Sequence, residues 1–277
     1  MGMSYQSANI SGQAAQASYA RDNFFRFTKE MQLRLNEYNE NLGNRGTPVA
    51  TIYFPTRDGP IRTLIGNSHQ HAIGLYASAK MGVPQPYEGL AEFGVVEESE
   101  LKAAVIWYQT QAFRLEMWVD GEKRSFIVDH LRETTEGVEA IEVKQHPGQL
   151  NEKNLPKYQR AREILMGIGV DLKIRYEDEI EGSETWRYNR KTILMHRSVS
   201  VSEEQMMAFE RLRAITPETT LGEVRAVLDP RKIQGRAAAN ALICRGRILL
   251  DLQSYVSDFS PVTLVPARHF QSRSSTR

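Results

Sequence analysis

Hydrophobic positions recur every three or four residues over 19–41, where Phe24, Phe27, Met31, Leu35 and Tyr38 would form one stripe of a helix. The preceding residues, 1–18, are rich in Ser, Gln, Ala and Asn and are expected to be disordered. LGNRGTP (42–48) ends the helix with two glycines and a proline. VATIYF (49–54) and the alternating IRTLI (61–65) then read as a strand pair around the turn RDGP (57–60). Asn67 or Ser68 is placed to cap a short helix over 69–80. After the loop GVPQP (82–86), residues 87–106 read as a helix. Its stripe is Leu90, Phe93, Val96, Leu101 and Ile106, with an irregularity near 98–100.

From 113 the period shifts to two. FRLEMWV (113–119) alternates as a strand, and Asp120-Gly121 is a hairpin turn signal. Residues 125–129 and 138–144 are the next strands, separated by a polar turn. HPGQLNEKN (146–154) is a loop. Residues 155–168 are an amphipathic helix with Leu155, Tyr158, Ile164, Leu165 and Ile168 on or near one face, stopped by Gly169. VDLKIRY (170–176) is a short strand. This order predicts a mixed α/β core over 60–182. Composition then changes. Helices are expected at 203–214, 220–228 and 231–244, the first opened by a capping box of Ser202 and Gln205. RILLDL (247–252) and PVTLVP (261–266) follow as two short strands. Three helices and a two-strand wing predict a winged helix-turn-helix. The basic, serine-rich tail is expected to be flexible, and no internal repeat is present.

Composition narrows little. Charged residues are 25% and hydrophobic residues 41%, ordinary values for a globular chain of 277 residues, long enough for two domains. The formal net charge is only +1, so any nucleic-acid binding must come from local patches. One cysteine, Cys244, excludes an internal disulfide and fits a reducing, intracellular setting; within Ala241, Leu242 and Ile243 it reads as a small buried residue. No apolar run approaches the roughly 18–20 residues that cross a bilayer, and the polar start has no h-region of a secretion signal.

The chemistry concentrates in SFIVDHLRETTEGVEAIEVKQ (125–145). Side chains on a strand alternate faces, so Glu142 and Lys144 project together while Ile141 and Val143 point the other way. Asp129 ends the preceding apolar run, giving the pattern D-x12-E-x-K. Two carboxylates suit Mg²⁺, which takes oxygen ligands, with the Val143 carbonyl as a candidate third ligand. Lys144 would hold the attacking water or stabilise charge growing on phosphorus. The bland reading is an exposed strand with a local ion pair. A third acid belongs upstream on a helix, and spacing does not choose among Glu88, Glu92, Glu97 and Glu98.

Other polar groups are ambivalent. His69 and His71 read as a surface pair, and His130 and His146 flank the site as substrate contacts or as exposed residues. Lys153, Lys157, Arg160 and Arg162 lie closest in sequence to the proposed site and are the preferred phosphate contacts, diluted by Glu152 and Glu163. A second basic segment carries Arg225, Arg231, Lys232, Arg236, Arg245 and Arg247 against one acid, Asp229; it reads equally as a DNA-facing or a protein-docking face.

Three segments carry a family likeness. SAKMGVPQPYEGLAEF (78–93) looks like the entry to a first catalytic helix. YQTQAFRLEMWVDGEKRSFIVDHL (108–131) is similar to a Q-P-F-x-I…DG…Y-x-P-D-F strand pair. VEAIEVKQ and KYQRAREILMGIGVDLKIRYEDEI (138–145 and 157–180) match an (E/Q)VK strand, helix and final strand. The chain thereby resembles the TnsA-type endonuclease subunit of heteromeric cut-and-paste transposases, within the PD-(D/E)xK, restriction-endonuclease-like group. TLGEVRAVL and ALICRGRILLDL resemble that family's C-terminal domain, so the likeness spans 76–266.

The resemblance implies an α/β fold, a restriction-endonuclease-like mixed sheet flanked by helices, plus the C-terminal winged helix-turn-helix. It places Glu92 at the helix-borne glutamate, Asp129 at the aspartate of P-D, Glu142 at the acidic or Gln position and Lys144 at the lysine. The metal set would be Asp129, Glu142, Val143 and Glu92, holding Mg²⁺ with Mn²⁺ as a substitute. Val128 replaces the motif proline and His130 an apolar residue; neither removes a ligand. The implied activity is cleavage of transposon 5′ ends. The implied partners are duplex DNA, a DDE transposase and an AAA+ regulator, in the bacterial cytoplasm at the nucleoid. Expected DNA contacts are Lys153, Lys157, Arg160, Arg231, Lys232 and Arg236. Expected domains are an N-terminal extension of unknown role (1–60), the nuclease core (61–185), the winged helix (195–267) and the tail (268–277). The alternatives are a stand-alone restriction-like nuclease in defence or repair, and a catalytically degenerate DNA-binding scaffold.

Overall fold

The computed structural model describes residues 4–42, 48–55, 61 and 72–266, with side chains from Asp22 onward. It is an α/β chain that divides into two units, 1–182 and 183–277. The first unit runs α1 (Ser4–Leu42), β1 (Ala50–Tyr53), β2 (Ile73–Ala77), β3 (Pro84–Glu88), α2 (Leu90–Leu101), β4 (Val105–Thr110), β5 (Arg114–Val119), β6 (Glu122–Ile127), β7 (His130–Thr134), β8 (Val138–Lys144), α3 (Leu155–Gly167), β9 (Val170–Tyr176) and α4 (Glu177–Glu181).

The expected α1 stripe packs as read: Phe24, Phe27, Met31 and Leu35 are buried, with both phenylalanine rings against Trp107 at 6.0 and 5.3 Å. The helix also runs on toward its N-terminus through residues expected to be disordered. Ala and Gln are good helix formers, and extending a helix whose far end is anchored costs little. Phe24, Phe27, Met31 and Leu35 thereby belong to the hydrophobic core of the first unit. β1 pairs antiparallel with β5; its expected partner 61–65 lies outside the described residues apart from Ile61, as do Asn67, Ser68, His69 and His71.

Three readings are corrected around α2. Residues 73–77 and 84–88 form an antiparallel strand pair where a helix end and a loop were expected. The helix expected over 87–106 spans only 90–101, and 105–110 is strand β4. Leu90 and Ile106 fit a helical stripe by spacing, but the chain turns at Gly89 (φ 100), and Val105 and Trp107 enter the sheet core. The polar turn expected after Asp129 is instead β7, whose Leu131 is fully buried.

Two long antiparallel strands dominate the sheets. They are joined at Asp120-Gly121, both at positive φ, as a two-residue hairpin of this type requires. At 111–113 and 128–129 both strands bend together: Gln111 N–H donates to Asp129 O (2.9 Å) and Val128 N–H to Phe113 O (3.1 Å). On one side of the bend, β5 and β6 join β1 in a three-stranded sheet. On the other, β4 and β7 continue into a four-stranded sheet ordered β4-β7-β8-β9. β8 and β9 are parallel and α3 is the crossover between them, closed by Gly169 at φ 82.

The second unit contains α5 (Glu184–Leu194), α6 (Glu203–Ile215), β10 (Glu218–Thr220), α7 (Leu221–Leu228), α8 (Lys232–Cys244), β11 (Ile248–Leu249) and β12 (Pro261–Leu264). Its helices α6 to α8 coincide with the expected spans, and the Ser202–Gln205 capping box is formed. A strand not expected from the sequence, β10, joins β12 and β11 as a three-stranded sheet. Cys244 is buried and reduced. Gly235 lets α8 approach α7: a Cβ there would stand 2.4 Å from Arg225 O and 2.6 Å from Asp229 O.

Candidate functional site

The β7–β8 ladder ends at the pair His130↔Ile141, while β8 continues beside β9 to Lys144. Residues 142–144 thus leave one strand edge without a neighbour, and the bend carrying Asp129 faces it. The Asp129 carboxylate takes up that edge: Oδ2 accepts from Val143 N–H at 2.8 Å. This tie brings together residues distant in sequence. Lys144 Nζ donates to Glu142 Oε1 (2.6 Å) and to Val143 O (3.1 Å). Tyr158, on the first turn of α3, donates its hydroxyl to the same Glu142 Oε1 at 2.7 Å. Glu142 is 5% exposed, and its other oxygen, Oε2, is buried with no hydrogen-bond partner among the described residues.

Electrostatics follow from this crowding. Burial pushes the Asp129 carboxyl well above the usual carboxylate range; Glu142 and Glu92 push it the same way, against the Val143 N–H and Lys144. The Tyr158 hydroxyl is raised by burial and by Glu142, so it stays protonated and stays a donor. Lys157 is lowered by burial, although Glu142 attracts its proton. Its ammonium lies 4.4 Å from the centre of the Tyr158 ring and 5.7 Å from that of Phe126.

The expected site residues fare unequally. Asp129, Glu142, Lys144 and Lys157 converge. Glu92 lies near enough to act on Asp129, but its Oε2 accepts from Glu88 N–H at 2.9 Å, and it does not close a ligand set. The Val143 carbonyl already accepts from Lys144. Among the described residues, no group of three or more His, Cys, Asp and Glu side chains is arranged to hold a metal ion. The donor set of Asp129 and Glu142 nonetheless fits a divalent cation, because among the described residues no donor serves the second Glu142 oxygen. Lys153 is exposed, and Arg160 is paired with Glu163 (2.8 Å). Arg231, Lys232 and Arg236 are exposed at the start of α8 in the second unit, with Arg231 held bidentate by Asp229.

His130 is not exposed. Period two turns it away from Asp129 toward α2, where it is 2% exposed, stacked on Tyr108 at 5.1 Å and bonded to Ser99 Oγ (2.9 Å). Burial and Arg132 hold it neutral, with a pKa of about 3. His146 is exposed. Glu97 and Glu98, two of the candidates for the third acid, are buried against the sheet together with Ser99 and Glu100. Glu98 pairs with Lys102, Arg132 and Arg175 (2.8, 3.1 and 2.7 Å). Glu100 accepts from Ser78, Tyr108 and the N–H groups of Ala79 and Lys80. This network backs the sheet on the face opposite the site. Tyr158 was not foreseen as a site residue; its signal was a hydroxyl-bearing ring in an otherwise apolar stripe, one turn into the helix that follows Lys144.

Comparison with known proteins finds no family model that matches this chain and no matching curated protein. Among the described residues, no helix is long and apolar enough to cross a membrane.

Proposed function

We propose that this chain is a Mg²⁺-dependent DNA endonuclease of restriction-endonuclease-like fold with a C-terminal winged helix, cleaving transposon 5′ ends beside a DDE transposase and an AAA+ regulator. The observation that carries the reading is the unequal use of the two Glu142 oxygens. Oε1 takes two donors, Lys144 and Tyr158, while Oε2 is buried and without a donor among the described residues, and Glu142 acts on the Asp129 carboxyl. A buried carboxylate oxygen without a donor calls for a cation. Asp129 and Glu142 would hold Mg²⁺, which when bound supplies Lewis-acid chemistry at a phosphodiester. Lys144 would present its amine where negative charge grows on the phosphorus oxygens and orient the attacking water. Lys157 adds a second cation beside the carboxylates and meets a phosphate of the bound strand.

The identity of the cut strand is the testable core. End-labelled transposon-end duplex incubated with Mg²⁺, with and without the partner transposase, should be cut at the 5′ ends only. Asp129→Ala should abolish cutting. Full-rate cutting by that variant would place the site elsewhere. The incomplete acid cluster favours one rival, a degenerate DNA-binding scaffold, which calorimetric titration with Mn²⁺ separates: the scaffold releases no binding heat.

A further inference from the structure

The first turn of α3 presents two adjacent side chains to the site, and they do different things. The Tyr158 side chain is buried, and its hydroxyl reaches Glu142 Oε1 at 2.7 Å. Its ring packs edge-on to Phe126 with centroids 5.9 Å apart. Above these rings lies the Lys157 ammonium, 4.4 and 5.7 Å from their centres. Lys144 approaches the Tyr158 ring as well, at 5.3 Å. Among the described residues Lys157 makes no side-chain hydrogen bond or ion pair at contact distance; two aromatic faces hold its ammonium, and the Glu142 and Asp129 carboxylates attract it from further off.

We propose that Tyr158 is the positioning residue of this site: its hydroxyl fixes Glu142 so that Oε2 is the oxygen offered to a divalent cation, and its ring holds Lys157 for a DNA phosphate. The inference rests on the nuclease reading above and deepens it. A carboxylate on a strand can rotate its two oxygens through either role. Two donors from different elements, Lys144 on β8 and Tyr158 on α3, meet one oxygen and so fix the plane of the carboxylate, which leaves the other oxygen turned away from both. Outer groups that orient a ligand in this way typically govern metal affinity by about 10–100-fold. The ring's role is separable from the hydroxyl's. Phenylalanine retains the cation-holding face and loses the donor, whereas leucine loses both.

The test uses the full chain and three variants, Tyr158→Phe, Tyr158→Leu and Lys157→Gln. Calorimetric titration with Mn²⁺ should show Tyr158→Phe binding about 10–100-fold more weakly than the parent, with a folded chain whose melting temperature in EDTA falls only by the loss of one buried hydrogen bond. Placing Tyr158→Phe on Glu142→Gln should weaken Mn²⁺ no further than Glu142→Gln alone, since the hydroxyl acts only through that carboxylate. Duplex binding in EDTA, followed against salt, should be unaltered in Tyr158→Phe. The same measurement on Tyr158→Leu and Lys157→Gln should lower the slope of log affinity against log salt by about one. Parental Mn²⁺ affinity in Tyr158→Phe overturns the positioning role and leaves the nuclease reading standing. A parental salt slope in Tyr158→Leu overturns the ring's role. A parent chain that binds no Mn²⁺ overturns both the inference and the reading beneath it.

Discussion

Replacing Lys144 with alanine separates catalysis from folding. The Lys144 side chain is 16% exposed, and its Nζ donates to Glu142 Oε1 at 2.6 Å and to Val143 O at 3.1 Å. In the proposed reaction it is a preorganised positive donor in a partly water-excluded site, and removing one such donor costs about 100- to 1000-fold in kcat, or about 2.7–4 kcal/mol. Breaking a fully buried ion pair costs about 3–5 kcal/mol of stability. Here the cost is smaller, because Lys144 is partly exposed and Glu142 keeps the Tyr158 hydroxyl; about 1–2 kcal/mol is expected. For a unit of this size that lowers the melting temperature by about 2–4 °C per kcal/mol. Single-turnover cleavage of end-labelled duplex in saturating Mg²⁺ reads the first quantity, and circular dichroism melting of the same sample reads the second. A folded Lys144→Ala protein that cuts within threefold of the parent rate would refute the role given to the amine.

Three further outcomes are expected. Asp129→Asn should raise the melting temperature of the metal-free protein at neutral pH, by about 0.5–2 kcal/mol in stability. Burial, Glu142 and Glu92 raise the Asp129 carboxyl in the folded state, so its stabilising contribution is complete at low pH and fades as pH rises through the folded value; the gain in the variant should therefore vanish near pH 4. Glu98→Gln should cost about 1–3 kcal/mol at pH 7. Burial would raise Glu98, but Lys102 and Arg175 hold it at about 2, so its stabilisation is present above pH 4.5 and lost as pH falls toward 2. The deficit of the variant, measured by urea unfolding, should narrow across that window. Gly235→Ala should destabilise the second unit by about 1–3 kcal/mol, read by melting of the full chain, because the new methyl meets the Arg225 and Asp229 carbonyls.

Much of this protein is legible in its amino-acid order because the deciding forces are local. The α1 stripe, the Asp120-Gly121 hairpin, the capping box at Ser202 and the strand 138–144 each follow from periodicity or turn chemistry within a few residues. The shared face of Glu142 and Lys144 follows from period two alone, and the Lys144–Glu142 bond agrees with it. Where that reasoning failed, the neighbour that decided the matter lay far along the chain. Residues 105–110 are strand because β7 lies beside them, and 130–134 are strand because β4 and β8 flank them on both sides.

Charge was the least legible property. Lys102, one turn on, is the local partner of Glu98, but burial of Glu97–Glu100 also needs Arg132, Arg175 and Tyr108 from other strands and Ser78 from the end of β2. The same holds for the site. Sequence determined which residue types could do phosphodiester chemistry and that two of them share a face. Tertiary structure alone decided that the bend at Asp129 meets the free edge of β8, that Tyr158 claims one oxygen of Glu142, and that Glu92 turns to its own backbone neighbour. Strand pairing and hydrogen bonds between distant residues depend on how the chain closes in space, which no local pattern encodes.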